Sequence, residues 1–216
     1  MAASEQSREL ILARIKAALR EPAHAPSSEP ISYRQIYAVD DDVIARFVAE
    51  CTANLTECRI TQQAEASAAV VAEIIASLPA GPVFAQDTPV LRAMAGRWGR
   101  EVSWSSAGGP PETSQACVTL CEALVAQTGS VLVSSATGGR GASVVAPVHI
   151  VVAREEQLAA DLETALRQAY ERGVAQRNSF VGLVTGSSRT ADIEKILVQG
   201  AHGPRKVVVV LERPGD

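Results

Sequence analysis

Residues 180–204 read FVGLVTGSSRTADIEKILVQGAHGP, and their reading sets the fold. Phe180 to Val184 is a short apolar run of strand character. It breaks at Thr185-Gly186, and Ser187, Ser188, Arg189 and Thr190 follow. Ile193, Ile196 and Leu197 then fall on one helical face, which predicts a helix over 190–199. The unit is strand–turn–helix. A helix N-terminus leaves backbone N–H groups unpaired, and anions bind there. The planar guanidinium of Arg189 adds a fork suited to a carboxylate or phosphate.

The same alternation extends through the body of the chain. Helices are predicted over 40–55, 63–78, 88–98 and 155–172, and strands over 57–61, 83–85, 101–104, 116–120, 131–134, 148–153, 180–184 and 206–211. Residues 121–127 read as a short helical turn and 105–114 as a loop. Strands apolar on both faces, interleaved with helices, indicate an α/β fold: a mostly parallel sheet with helices on both faces. In such sheets ligands bind beyond the carboxyl ends of the strands, and both glycine turns, which follow strands, are expected at that edge.

The N-terminal part reads differently. Residues 4–20 predict one amphipathic helix, with Leu12, Ile15 and Leu19 on a stripe and Ser4 as N-cap. Residues 21–30, EPAHAPSSEP, are an exposed linker. The expected organisation is a helical arm with a Pro-rich linker (1–30) and an α/β domain (31–216).

Composition excludes several classes. The net charge is −4, without a basic patch, and aromatic residues are 4% of the chain, which argues against nucleic acid as partner. No apolar run approaches the roughly 20 residues that span a bilayer. The N-terminus has no secretory pattern, so a cytoplasmic location is expected. Cys51, Cys58, Cys117 and Cys121 form no C-x-x-C pair, and the three histidines are isolated. They read as reduced cysteines in apolar runs, so no metal, cluster or other cofactor is expected in this chain.

Three loops carry the candidate ligand-binding residues: Thr128 and Gly129; Gly138, Gly139 and Arg140; and Gly186, Ser187, Ser188, Arg189 and Thr190. Glycine lets a backbone approach a ligand or adopt positive φ, and the arginines supply charge. The bland alternatives are plain turns and solvated arginines. His202, in a loop with the C-cap signal Gly200 and the stop Pro204, is a further binding candidate. His149, inside an apolar strand, reads as structural. Asp192 and Glu194 read as acids at a helix N-terminus. There is no nucleophile elbow, P-loop or H-E-x-x-H, and no catalytic residue is identified.

The segments T-G-S-V-L-V, G-G-R-x-x-S, P-x-H-I-V-V, V-T-G-S-S-R-T-A-D-I-E and L-V-x-G-A-H-G-P resemble the lactate-utilisation protein C family, also called the LUD domain, over about residues 116–211. The resemblance implies a fold similar to the sugar-phosphate isomerase, CoA-transferase and formyltetrahydrofolate cyclo-ligase group. It implies a subunit that supports oxidation of L-lactate to pyruvate with iron–sulfur partner proteins. Two departures stand out. Gln127 replaces a glutamate frequent in the family, and a neutral amide cannot serve as base or nucleophile. Ser187 replaces a frequent proline, which adds one N–H to the turn.

Three readings follow. The first is a lactate-utilisation subunit in which Arg140 and Arg189 hold a small carboxylate or other small anion. The second is an autonomous CoA-transferase-like or cyclo-ligase-like enzyme. The third is a non-catalytic scaffold that grips partners through its arm. Homo-oligomerisation through the same arm stays open.

Overall fold

The computed structural model describes residues 2–20, 42–191, 197–199 and 203–214, with side chains over 7–20, 42–188 and 203–214. The expected residues His202, Asp192 and Glu194, and the side chains of Arg189 and Thr190, lie outside that set. Contacts divide the chain into two compact units, Met1–Ala38 and Val39–Asp216. The first unit contains α1 (Ala2–Ala18). Ser4 lies inside this helix rather than at its N-cap. Leu10, Ile11, Leu12, Ile15 and Leu19 are all exposed.

The second unit begins with α2 (Val43–Ala53), β1 (Thr56–Thr61), α3 (Ala64–Ala76), β2 (Val83–Ala85), α4 (Pro89–Ala95) and β3 (Val102–Trp104). It continues with β4 (Ala116–Thr119), β5 (Ala123–Val125), β6 (Ser130–Ser134), β7 (Val148–Arg154) and β8 (Leu158–Ala159). It closes with α5 (Leu162–Glu171), α6 (Val174–Arg177), β9 (Val181–Val184), β10 (Arg189–Ala191), β11 (Leu197–Gln199) and β12 (Lys206–Glu212). Local chemistry fixes the helix ends. Asp42, Thr88 and Asp161 accept from the backbone N–H of Ala45, Leu91 and Thr164, the N-cap role of short oxygen-bearing side chains. Arg100 closes the other end of α3, donating to the carbonyls of Ile75, Leu78 and Pro79.

Six parallel strands form the main sheet in the order β1-β12-β7-β4-β2-β3. Every residue of β2 and β4 and all but the end residues of β7 and β12 are buried, as a sheet covered on both faces requires. On the first face, Val71, Ile74 and Ile75 of α3 and Leu91 and Met94 of α4 pack on Ile150, Val152, Val208 and Val210. On the second, Val151, Ala153, Val209 and Leu211 meet Phe47 and Cys51 of α2 and Val131 and Val133 of β6.

That second face is covered by α2 and by another sheet, which the sequence reading did not resolve. Its order is β8-β5-β6-β9, with β5–β6 and β6–β9 antiparallel. Its outer face is closed by Ala165 and Ala169 of α5 and Val174 of α6.

Three expected elements change. Residues 121–127 are not a helical turn: Ala123–Val125 is β5, because pairing with β6 and β8 outweighs any local preference of so short an apolar run. The helix over 155–172 starts only at Leu162. Asp161 caps it, and the Gln157 carboxamide accepts from the Arg154 N–H to close a separate 3-10 turn upstream. Where a helix was expected over 190–199, β10 and β11 form an antiparallel pair that joins Thr190 to Val198, two β-branched residues suited to strands. The Gly186 turn therefore leads into a hairpin strand, not a helix N-terminus.

His149 lies on the second face of β7 and is completely buried. Its Nε2 shares a hydrogen bond of 2.9 Å with Thr119 Oγ1, and its Nδ1 has no partner. Burial pushes its pKa down to about 4 from 6.5, so the folded chain holds it neutral. The unfolded chain binds a proton as pH falls below 6.5, while the folded chain binds one only near 4. Stability from this group is full above pH 6.5 and is lost between 6.5 and about 4, by up to about 3 kcal/mol. Urea unfolding across that range should show the loss in the wild type, and His149→Gln should lack it. An unchanged slope in the variant would remove the assignment.

Candidate functional site

The antiparallel pairing of β6 and β9 decides where the candidate residues go. Val131 pairs with Val184 and Ser134 with Val181, so the segments leaving the two strands depart at opposite ends. The parallel strands β7 and β12 are each seven residues long, so those edges are separated by roughly 20 Å at about 3.3 Å per residue.

Thr128, Gly129, Gly186, Ser187 and Ser188 gather at the amino edge of the main sheet. Thr128 Oγ1, Ser130 Oγ and Thr185 Oγ1 form a hydroxyl chain with 2.7 Å links. Ser188 N–H donates to Pro204 O just before β12. Gly129 and Gly186 both have positive φ, 61° and 78°. A Cβ on Gly129 would sit 2.6 Å from Cys51 N, and one on Gly186 would collide with Asn54 O. Asn54 Nδ2 donates to Thr128 O at 3.1 Å. The carboxyl end of α2 is thus wedged between the two turns. A helix carboxyl end carries partial negative charge and favours cations, the opposite of an anion site. Ser187 Oγ is buried here with no hydrogen-bond partner among the described residues.

Gly138, Gly139 and Arg140 lie at the other edge. Gln86, which follows β2, donates from Nε2 to Ala136 O and accepts from Leu120 N–H. This ties the glycine loop to the carboxyl ends of β2 and β4. Arg140 donates to Ser179 O at 3.3 Å and is exposed. From there the chain runs down the second face, where Ala142 and Ala146 pack on Phe84 and Cys117. Val144 O then lies 3.7 Å from where a Gly203 Cβ would be, so only the far part of this loop reaches the Ser188 turn.

A cleft of about 740 Å³ occupies the carboxyl edge. Leu120, Cys121, Val152 and Ala153 line it from the sheet, Ala64 and Ala68 from α3, and Val90 and Met94 from α4. Its charges are Arg97, Arg154 and Arg172 against Glu65, Glu122, Glu156 and Glu212. Most are engaged. Glu122 accepts from Ser134 Oγ at 2.6 Å, and its carbonyl accepts from Arg172 at 2.8 Å. Glu212 accepts from Ser67 Oγ, and Arg154 lies 3.7 Å from Glu156. The Arg97 side chain has no hydrogen-bond or ion-pair partner among the described residues, its backbone N–H donating to Met94 O. The rim has one more glutamate than arginine, so binding an anion would rest on direct guanidinium contacts rather than on the overall field. Cys121 is no nucleophile at neutral pH, since burial pushes its thiol up to about 12.

Gln127 has a structural partner. Its Oε1 accepts from the N–H of Leu162, the first residue of α5, at 3.3 Å. An oxygen acceptor at a helix N-terminus accounts for Gln or Glu at this position without a reaction. Among the described residues, no group of three or more His, Cys, Asp or Glu is placed to hold a metal ion. No described helix is long and apolar enough to cross a membrane.

The family model of the LUD domain matches residues 112–211. Uncharacterized protein YkgG of Escherichia coli (strain K12) is 31% identical over 170 residues, 73% of each chain. This chain belongs to the LUD domain family. Lactate utilization protein C of Geobacillus sp. (strain WCH70) is 26% identical over 194 residues, 80% of each chain. The fold matches the crystal structure of a DUF162 family protein from Deinococcus radiodurans with a TM-score of 0.59, at 17% identity, over 78% of this chain and 95% of that one. The LUD match starts just before β4 and reaches β12, so it contains both glycine turns and the sheet floor of the cleft. Arg97, α3 and α4 precede it.

The sequence reading named none of the cleft residues as ligand-binding, and took Cys121 only as a reduced core cysteine. A signal was available: Glu122, Arg154 and Glu212 each follow an apolar strand run, where a parallel sheet presents side chains to ligands.

Proposed function

We propose that this chain serves lactate utilisation as a subunit that binds a small carboxylate in the carboxyl-edge cleft and works beside iron–sulfur partner proteins. Support for the role comes from LUD membership and from relatives that bear the name Lactate utilization protein C. Support for the ligand comes from one observation: an unengaged guanidinium, Arg97, on a cleft at the edge where parallel sheets bind ligands. Arg172, whose described bond goes to a carbonyl rather than a carboxylate, would be the second contact. The Gly138–Arg140 loop, tied to this edge through Gln86, would border the entrance. Arg189 would then belong to the amino edge and act apart from this ligand.

A second reading has its own observation. Leu10, Ile11, Leu12, Ile15 and Leu19 of α1 are between 39% and 80% exposed, more apolar surface than a solvated helix needs. The arm would then dock the partner proteins, with the cleft idle.

Calorimetry with L-lactate and with pyruvate tests the first reading. Saturable binding to the wild type is expected, with Arg97→Ala and Arg172→Ala each weakening it by about tenfold, the scale of a charge-assisted hydrogen bond. Absence of binding to the wild type, alone or with partner proteins, would contradict it. Deleting residues 1–30 tests the second: co-purification with the iron–sulfur proteins should be lost, and neither form of the chain should bind the carboxylate. Retention of the complex would sink the arm's role.

A further inference from the structure

Viewed down its axis, α1 carries one apolar stripe. At about 100° per residue, Ile11, Leu12, Ile15, Ala18 and Leu19 fall within an arc of about 120°, and Leu10 falls outside it. Leu19 continues the helix, its N–H donating to Ile15 O at 3.0 Å. Ile11, Leu12, Ile15 and Leu19 are exposed, so the folded chain leaves the stripe open. The charges beside it are ordered. Along the border next to Leu12 and Leu19, Glu9 stands in the first half of the helix, and Lys16 and Arg20 follow in the second. Their side chains have no hydrogen-bond or ion-pair partner among the described residues. We infer that α1 pairs antiparallel with α1 of a second copy of this chain, giving a weak two-fold dimer.

Charge order selects the orientation. Two helices that pair head to tail about a two-fold axis set each border against its own copy. Glu9 of one copy then lies beside Lys16 of the other, and the contact occurs twice. Arg8 falls inside the arc and comes opposite Leu19 of the second copy. Its aliphatic stem can cover the leucine there while the guanidinium stays in water. Parallel pairing would instead set Arg8 against Arg8, a like-charge contact. It would also turn the Glu9–Lys16 border toward the opposite one, made of Ser7, Ile11, Arg14 and Ala18, which offers no acid to Lys16 or Arg20.

The interface is small. α1 has 17 residues, about 25 Å of helix, and a helix of that length is marginal alone in water. Pairing takes Ile11, Leu12, Ile15 and Leu19 of both copies out of water, which favours the dimer. The limited area keeps the association reversible, at the weak end of protein interfaces. α1 supplies no residue to the carboxyl-edge cleft, so pairing and carboxylate binding can hold or fail separately. In this arrangement a second copy, rather than an iron–sulfur protein, covers the stripe.

Sedimentation equilibrium of the full chain at low salt, from about 1 μM to about 1 mM, is the test. The wild type should show a reversible monomer–dimer equilibrium, and Ile15→Glu should stay monomeric throughout. Glu9→Lys and Lys16→Glu should each weaken the dimer by about tenfold, because each turns two attractive contacts into repulsive ones. The double variant Glu9→Lys with Lys16→Glu should recover the wild-type dimer to within about threefold, which only the antiparallel arrangement explains. Lys and Glu have similar helix propensity, so these exchanges keep α1 helical, and circular dichroism checks it. A wild type that stays monomeric, a dimer indifferent to Ile15→Glu, or larger assemblies would overturn the inference. Failure of the double variant to recover would overturn the orientation. Binding of a monomeric wild type to phosphatidylglycerol vesicles would assign the stripe to a membrane surface instead.

Discussion

The second face of the main sheet depends on how closely α2 can approach two turns. Gly129 and Gly186 take positive φ, and each leaves no room for a side chain against Cys51 and Asn54. With that approach, Phe47 and Cys51 reach Val131, Val151, Val209 and Leu211, and the smaller sheet seats beside the helix. Without it, the face of β7 and β12 that carries His149, Val151 and Val209 would lose its cover. The hydroxyl chain of Thr128, Ser130 and Thr185 and the Asn54 amide bond the same junction from its polar side.

This constraint bears directly on function. The glycines that resemble a ligand turn in sequence are accounted for at the amino edge by packing against a helix end whose carbonyls repel anions. The cleft with arginines lies at the opposite edge, the edge to which Gln86 ties the glycine loop after β6 and away from the turn after β9. The junction also holds Cys51, whose thiol donates to Gly129 O where α2 meets the first turn. Three features that are distant in sequence, namely residues 51–54, 128–130 and 185–188, form one mechanical unit.

Much of the architecture was legible. Six strands of the main sheet and the helices α2, α3 and α4 follow from apolar runs and their period. The second sheet was not, for a physical reason. Its strands β5 and β8 have three and two residues, too few for any period to separate strand from helix, and they form by pairing, β5 with β6 and β8 with β5. The helix expected over 190–199 gives way at its described ends, Thr190–Ala191 and Leu197–Gln199, because pairing of β10 with β11 outweighs local propensity. Among the expected site residues, the loops were found but not their edges, since the hand of the β6–β9 pairing cannot be read from either strand alone. Arg97 escaped notice because it follows a short helix among other charges, Arg92, Arg100 and Glu101, with no motif to set it apart.

The packing account of the glycines is tested most directly by comparing two alanine substitutions in urea unfolding. Gly139 and Gly186 share positive φ, 88° and 78°, but a Cβ meets nothing within 4 Å at Gly139 and the Asn54 carbonyl at Gly186. Gly139→Ala should cost only the backbone term, about 1 kcal/mol, whereas Gly186→Ala should cost about 3 kcal/mol or more, or prevent folding. Equal losses at the two positions would contradict the claim that the approach of α2 to the turns holds the second face together.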